Sequence, residues 1–374
     1  MKLSAICIFG IESIVAGELR DLGIEVEKVS NGRIEFSGGA EEIAKCNLWL
    51  RTAERIYIKA AQFPAYTFDE LFDRTFLIDW QEYIRPDGVI NVRSSNINSR
   101  LFSNRDCQKI VKKAMADKLC KVHGMNRLPE DGPEYKVEIF IHNDIVGINL
   151  DTTGTGLHKR GYRTLNVEAP LKETIAAALL KISYWRPGRM LLDPFCGSGT
   201  FPIEAAMMSA GIAPGIKRGF LFEDWSDQNK VIMKAAREKA KAGIELKKEL
   251  LIYGSDISYK NIEIAKKHAV AAGVADMVDL KTADARKIQP PGEYGVIICN
   301  PPYGMRISDK ANIKALYREL GKVFESFPGW SKYVLTDSYD FERLSGLKAN
   351  KRRKIYNGNI SCTYYQFFGP KPPK

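Results

Sequence analysis

The sequence predicts an α/β protein, with a doubly wound, largely parallel sheet in its C-terminal half preceded by small α+β units. Three observations carry that prediction. Residues 165–374 alternate apolar strands with helical stretches in the βαβ manner. Within them, the segment RMLLDPFCGSGTFPIE at 189–204 runs from a strand through a glycine turn into a helix, the unit that opens a crevice at the carboxyl edge of such sheets. Ahead of them, residues 1–155 break into short strands and helices with no repeat of fixed period. A chain of 374 residues is too long for one ordinary domain and suits two or three. Boundaries are expected so as to give 1–60, 61–155 and 156–374.

The first segment reads as strand (Leu3 to Phe9), helix (Ile11 to Leu22), and strands Val26 to Val29 and Arg33 to Phe36 about an Asn31-Gly32 turn. The second holds a strand at Val89 to Arg93, a long basic helix, and strands Tyr135 to His142 and Asp144 to Leu150 joined by a tight turn at Asn143-Asp144. In that helix Cys107, Ile110, Val111, Ala114, Met115 and Leu119 share one apolar face. Between Arg93 and Arg127, nine basic residues (Arg93, Arg100, Arg105, Lys109, Lys112, Lys113, Lys118, Lys121, Arg127) stand against two acidic ones (Asp106, Asp117), a pattern that suits either a solvated face or a phosphate-binding one. In the third segment strands are expected at Arg189 to Asp193, Leu251 to Asp256, Met277 to Lys281, Tyr294 to Cys299, Ser331 to Thr336, Arg353 to Tyr356 and Ser361 to Phe368. The last two form an antiparallel hairpin at the sheet edge.

Lysine and arginine number 56 against 45 aspartates and glutamates, a net charge of +11, which favours a polyanionic partner without establishing one. Seven scattered cysteines with no CxxC pair read as reduced thiols, and neither they nor the four histidines have metal-ligand spacing. No apolar run reaches the ~18 residues of a membrane span and no signal-like N-terminus stands out, so a cytoplasmic location without membrane or metal is expected.

The chemistry concentrates in three places. The turn at Asp193 to Gly199 lacks the GxxxxGK[ST] of a P-loop, and Pro202 stands where a dinucleotide fingerprint wants glycine or alanine. A carboxylate at Asp193 repels a pyrophosphate but suits a ligand with an amino group and a sulfonium, so S-adenosylmethionine fits better. Asp256, ending YGSD, is placed either to accept from two ribose hydroxyls or to cap the next helix; Asp284, in KTADA, is placed for the adenine amino group. The decisive motif is Asn300-Pro301-Pro302-Tyr303-Gly304, directly after the strand YGVIIC. Methyl transfer to an exocyclic amine needs acceptors for the amine hydrogens, which the Asn300 amide oxygen and the Pro301 carbonyl can supply, while Tyr303 offers a face for a flipped-out base. Methylation at pyrimidine C5 is disfavoured, because Cys196 and Cys299 sit where packing residues belong.

DPFCGSGT at 193, GSD at 254 and NPPYG at 300 resemble motifs I, II and IV of class I amino-methyltransferases. LFSNRDCQKIVKKAM at 101 is similar to a THUMP-domain helix, and DTTGTGLHKRGYR at 151 with EAPLKETIAAAL resembles the junction into the catalytic domain. Essentially the whole chain thus resembles THUMP-containing RNA guanine-N2 methyltransferases, including the N-terminal half of a bifunctional ribosomal-RNA enzyme.

The resemblance implies a Rossmann-like seven-stranded class I methyltransferase domain behind ferredoxin-like and THUMP RNA-binding domains. It implies S-adenosyl-L-methionine as cofactor, S-adenosyl-L-homocysteine as product, and RNA as partner, ribosomal ahead of transfer RNA. It carries cofactor contact onto Asp193, Phe195, Gly197, Gly199, Thr200, Asp256, Ile257, Asp284, Ala285 and Asn300, with Pro170, Leu171 and Lys172 bordering the pocket. Base handling falls on Asn300, Pro301, Pro302 and Tyr303. RNA contact is expected from Arg100, Arg105, Lys109, Lys112, Lys113, Lys159 and Arg160, and Lys351 to Lys354 suit either an extension of the track or a solvated surface strand. Transfer to adenine N6 or a protein glutamine, and a non-catalytic RNA-binding assembly factor, are the alternatives. One departure is the 57 positions between Gly199 and Asp256. The stretches Ile216 to Trp225 and Gln228 to Lys248 are expected to form an insertion near the active-site rim.

Overall fold

The computed structural model describes residues 1–165, 171–246, 249, 251–303, 309–358 and 360–371. Pro170, Gly304 and Lys248 lie outside the described residues. The chain separates into two units, one of Met1–Cys7, Ala16–Leu157 and Gly219–Glu238, the other of Ile8–Val15, His158–Arg218 and Lys239–Lys374. Among the described residues no helix is long and apolar enough to cross a membrane.

The first unit is built on β1 (Lys2–Ile6), the part of α1 (Glu12–Asp21) from Ala16 onward, β2 (Val26–Ser30), β3 (Arg33–Ser37), α2 (Ala40–Trp49), β4 (Arg55–Pro64), α3 (Phe68–Phe76), β5 (Val89–Ile97), α4 (Asn104–His123), β6 (Glu134–His142) and β7 (Ile145–Asp151). One seven-stranded sheet, ordered β2-β3-β1-β4-β7-β6-β5, contains all of these strands. Asn143 and Asp144 take positive φ of 51° and 61°, as a two-residue hairpin loop between β6 and β7 requires. Ser103 caps the start of α4 and Gly124, at φ 64°, ends it. Its apolar face, Cys107, Val111, Ala114, Met115 and Leu119, is buried.

The boundary expected at residue 60 falls inside β4, which pairs with β1 on one side and β7 on the other. That strand escapes a periodicity reading because a bulge between Lys59 and Ala61 breaks its alternation.

The segment Gly219–Glu238 belongs to this unit. Trp225 stacks on Tyr135 of β6 with ring centroids 4.8 Å apart and donates its indole N–H to the Glu134 carbonyl at 3.0 Å. The Phe222 amide donates to the Thr152 carbonyl at 3.0 Å. Within the insertion lie the short α7 (Leu221–Asp224) and the start of α8 (Asp227–Ala242).

The remaining elements are α5 (Glu173–Ile182), β8 (Met190–Asp193), α6 (Thr200–Ser209), β9 (Ile252–Asp256), α9 (Tyr259–Ala272), β10 (Asp279–Thr282), β11 (Gly295–Cys299), α10 (Asp309–Glu325), β12 (Trp330–Thr336), α11 (Phe341–Ser345), β13 (Lys351–Asn357) and β14 (Ile360–Phe367). The sheet order is β10-β9-β8-β11-β12-β14-β13, parallel from β10 to β12, with β14 and β13 antiparallel. The expected terminal hairpin therefore closes the edge. Every residue of β11, GVIIC, is buried, as in a parallel strand covered on both faces. The order reverses between β8 and β11, and the loops after β8, β9 and β11 gather at that switch point.

Candidate active site

The loop after β8 is shaped by its own backbone. Asp193, 1 % exposed, accepts from the Phe195 amide at 3.1 Å, and Gly197 and Gly199 turn the chain at φ 51° and 86°. At Gly199 a Cβ would stand 3.1 Å from both Ala265 and Ile203, so the residue is needed for conformation and space alike. Pro202 occupies the first turn of α6, where a missing N–H costs nothing, and lies where a Cβ on Gly254 would approach it to 2.9 Å. Close packing of helix on strand is thus supplied by Gly254 of GSD, which explains why the glycine fingerprint lapses at position 202.

The loops are tied together through β9. The Cys196 amide donates to the Ser255 carbonyl at 2.9 Å, and the Gly197 amide to Asp256 Oδ2 at 3.1 Å. Asp256 Oδ1 accepts from the Ser258 amide at 2.9 Å and from Asn261 Nδ2 at 3.2 Å. The N-cap of α9 is Ser258, so Asp256 is not the helix cap. His268 supports the same loop from α9: Leu165 N–H donates to its Nε2 at 3.3 Å, which leaves Nδ1 to donate to the Ser198 carbonyl at 3.2 Å. Burial pushes this imidazole below its ordinary pKa, consistent with a neutral ring.

These residues border a cavity of 610 Å³. Asp193, Phe195, Gly197, Thr200, Asp256 and Ile257 line it from β8 and β9. Leu171, Asp284, Ala285, Asn300 and Pro302 line it too, whereas Gly199, Pro301, Tyr303 and Lys172 do not. Ser258, Asn261, Arg286 and Leu316 join the lining without having been singled out in the sequence. Only Asn261 had a readable signal, five positions beyond Asp256 on the next helix.

Electrostatics differ sharply along the cavity. Burial pushes the Asp193 carboxyl well above the usual range, and neighbouring Asp256 adds to the rise. At the other end the Arg286 side chain clamps Asp284, Nε lying 2.9 Å from both oxygens and Nη2 2.5 Å from Oδ2, which holds that carboxyl down at about 2. Burial raises the Cys196 and Cys299 thiols well above their ordinary value, so neither is a ready nucleophile.

At the end of β11, Pro301 is buried and the Tyr303 hydroxyl donates to Asn300 Oδ1 at 2.5 Å. Tyr317 of α10 donates its hydroxyl to the Pro302 carbonyl at 3.3 Å.

The expected RNA contacts divide. Arg100, Arg105, Lys109, Lys113 and Lys159 are exposed, with Arg100 resting 5.0 Å over the Tyr66 ring. Lys112 is half-buried and paired with Glu130 at 2.7 Å. Arg160 is a correction: its guanidinium is 1 % exposed and lies 3.4 Å from the fully buried Glu204, so it stands inside the protein and out of reach of a polyanion. Sequence shows its charge but not that Glu204 waits in the core.

A cavity with three carboxyl groups along its wall, whose sole basic lining residue among those described is paired with Asp284, offers a pyrophosphate no free cation and suits an amine, a ribose diol and an adenine amino group. The residues fit S-adenosylmethionine, and fold and cavity together define a methyltransferase that uses it. The chain belongs to the RMKL-like methyltransferases: residues 160–366 match the methyltransferase domain of that family, 2–57 the RlmL ferredoxin-like domain and 65–151 the THUMP domain. It is 44 % identical over 374 residues to YpsC of Bacillus subtilis (strain 168), covering all of this chain and 97 % of that one. It is 34 % identical to ribosomal RNA large subunit methyltransferase K/L of Shewanella frigidimarina, covering 95 % of this chain but 51 % of that protein. The crystal structure of SMU.472, complexed with S-adenosylhomocysteine, is similar at 41 % identity and a TM-score of 0.95, covering 100 % and 99 % of the two chains.

Proposed function

We propose that the chain methylates the exocyclic N2 of a guanine in RNA, ribosomal RNA ahead of transfer RNA. The observation that carries this reading is Asn300-Pro301-Pro302-Tyr303 at the carboxyl end of β11, with Asn300 and Pro302 on the wall of the cofactor cavity. Two consecutive prolines remove two N–H donors from the turn, which favours acceptors there, the Asn300 amide oxygen and the Pro301 carbonyl among them. An aromatic amine carries two hydrogens and a lone pair delocalised into its ring. Acceptors for both hydrogens hold the amine in place and favour the charge that develops as nitrogen attacks.

An amide oxygen has two lone pairs. Tyr303 takes one on Asn300 Oδ1, fixing the side chain and leaving the other for the base, while the Pro301 carbonyl accepts the second hydrogen. The Tyr303 ring is the face on which the base would stack. Along the cavity, Asp193 would hold the amino end of the cofactor, Asp256 its ribose and Asp284 its adenine. When bound, S-adenosylmethionine supplies an electrophilic methyl group and leaves as S-adenosylhomocysteine.

Guanine rather than adenine follows from the resemblance to guanine-N2 enzymes, and RNA from the matched THUMP domain, the ribosomal-RNA activity in the name of the K/L relative, and the exposed cations of α4. The test is transfer of labelled methyl from S-adenosylmethionine into separated ribosomal and transfer RNA from cells lacking the protein, with nucleoside analysis and Asn300→Ala as control. Label in N2-methylguanosine is expected, lost in the variant. Label in N6-methyladenosine, DNA or protein would overturn the acceptor assignment.

A further inference from the structure

Tyr317 is a fully buried aromatic in the core beneath β11 and β12, its ring edge-on to Phe341 with centroids 5.0 Å apart. Packing alone would be met by phenylalanine. A buried hydroxyl instead requires partners, and its partners run in one line. The Ser338 amide lies 3.1 Å from Thr336 Oγ1, Thr336 Oγ1 lies 2.8 Å from the Tyr317 hydroxyl, and that hydroxyl lies 3.3 Å from the Pro302 carbonyl.

The proton order along this line follows from its ends. An amide N–H can only donate and a carbonyl can only accept, so Thr336 donates to Tyr317 and Tyr317 donates to Pro302. Each bond polarises the next in the same sense. The parallel register explains the meeting point: Cys299 stands opposite Val334, so Thr336, two residues on, is level with the start of the Pro-Pro turn. Proline supplies no N–H of its own, and the hydroxyl from α10 anchors the turn from below instead.

We propose that Tyr317, oriented by Thr336, is a positioning residue for base handling: it fixes the Pro302 carbonyl and thereby the direction in which the Asn300 and Pro301 acceptors face. This rests on the reading of Asn300 to Tyr303 as the base site. The relay touches the turn rather than the cofactor carboxylates, so its loss slows transfer without weakening S-adenosylmethionine binding.

Tyr317→Phe keeps the ring and removes only the hydroxyl. Single-turnover transfer into the same bulk RNA, at saturating RNA and cofactor, is expected to slow about tenfold, as positioning losses of this size do. Affinity for S-adenosylmethionine by calorimetry stays within about twofold. Thr336→Val reproduces the slowing, Thr336→Ser restores the wild-type rate, and Tyr317→Phe with Thr336→Val is no slower than either alone because both remove one relay. A wild-type rate in Tyr317→Phe, or a loss of cofactor affinity matching the loss of rate, overturns the proposal. With Asn300→Ala inactive, such a result removes only the role of Tyr317; an active Asn300→Ala removes the base-site reading and this inference together.

Discussion

At the scale of single residues, the contrast between two carboxylates predicts how the site answers to pH. Asp193 is buried in the cavity wall and its carboxyl is raised, so the fold prefers its neutral form. That contribution to stability is complete below the ordinary carboxylate pKa and is lost as pH rises through the raised one. A cationic amine beside it reverses the preference and drives the proton off. Between the ordinary carboxylate pKa and the raised one, S-adenosylmethionine binding is therefore expected to release protons, seen in calorimetry as an enthalpy that varies with the ionisation enthalpy of the buffer. Asp193→Asn should bind more weakly and with no such variation; equal enthalpies for the wild type in all buffers would refute the coupling. Asp284 has the opposite sign. Its pairing with Arg286 contributes above the ordinary pKa and is lost as pH falls through about 2, but an ion pair this accessible adds little to stability. Its loss should show in cofactor affinity before it shows in melting temperature.

At the scale of elements, Trp225 offers the sharpest stability prediction. It is 7 % exposed, stacked on Tyr135 and bonded to the β6 backbone, so truncating it leaves a cavity and an orphaned carbonyl at once. Trp225→Ala is expected to cost about 3 kcal/mol in urea unfolding of the full chain, and Trp225→Phe less than half of that. A cost under 1 kcal/mol for Trp225→Ala would mean that the insertion only rests on the sheet. No pattern around residue 225 announces Tyr135 as its partner, which is why this stretch was legible as an insertion but not as part of the first unit. The same limit hid β4, whose bulge breaks the alternation, and Arg160, whose counter-charge is 44 positions away. The strands ending in Asp193, Asp256 and Cys299 were legible because each joins an apolar run to a turn with its own chemistry. The hairpin at Asn143-Asp144 was legible because those two residue types tolerate positive φ. What depends on local sequence could be read; the hydroxyl of Tyr317 and the imidazole of His268, which act across the fold on Pro302 and Ser198, could not.

At the scale of the whole molecule, a net charge of +11 becomes a binding surface only where cations remain unspent. The basic stretch around α4 is partly spent: Lys112 is held by Glu130 at 2.7 Å and Lys118 by Asp79 at 3.1 Å. Arg105, Lys109 and Lys113 stay exposed on the helix, Lys113 poised 5.8 Å from the Phe72 ring. If these residues grip phosphates, each contact releases counterions and steepens the fall of affinity with salt by somewhat under one unit of log-log slope. Lys109→Glu with Lys113→Glu should therefore flatten that slope by about 1.5 to 2 in filter binding to bulk ribosomal RNA, since two contacts are removed. Methyl transfer at saturating RNA should keep its wild-type rate, because neither lysine lines the cavity. Asn300→Ala is expected to do the reverse, abolishing transfer while leaving the slope unchanged. An unchanged slope in the double variant would remove α4 from the RNA track and direct attention to Lys159 and the cations of β13, whereas a slower rate at saturating RNA would show that this helix does more than hold the polyanion.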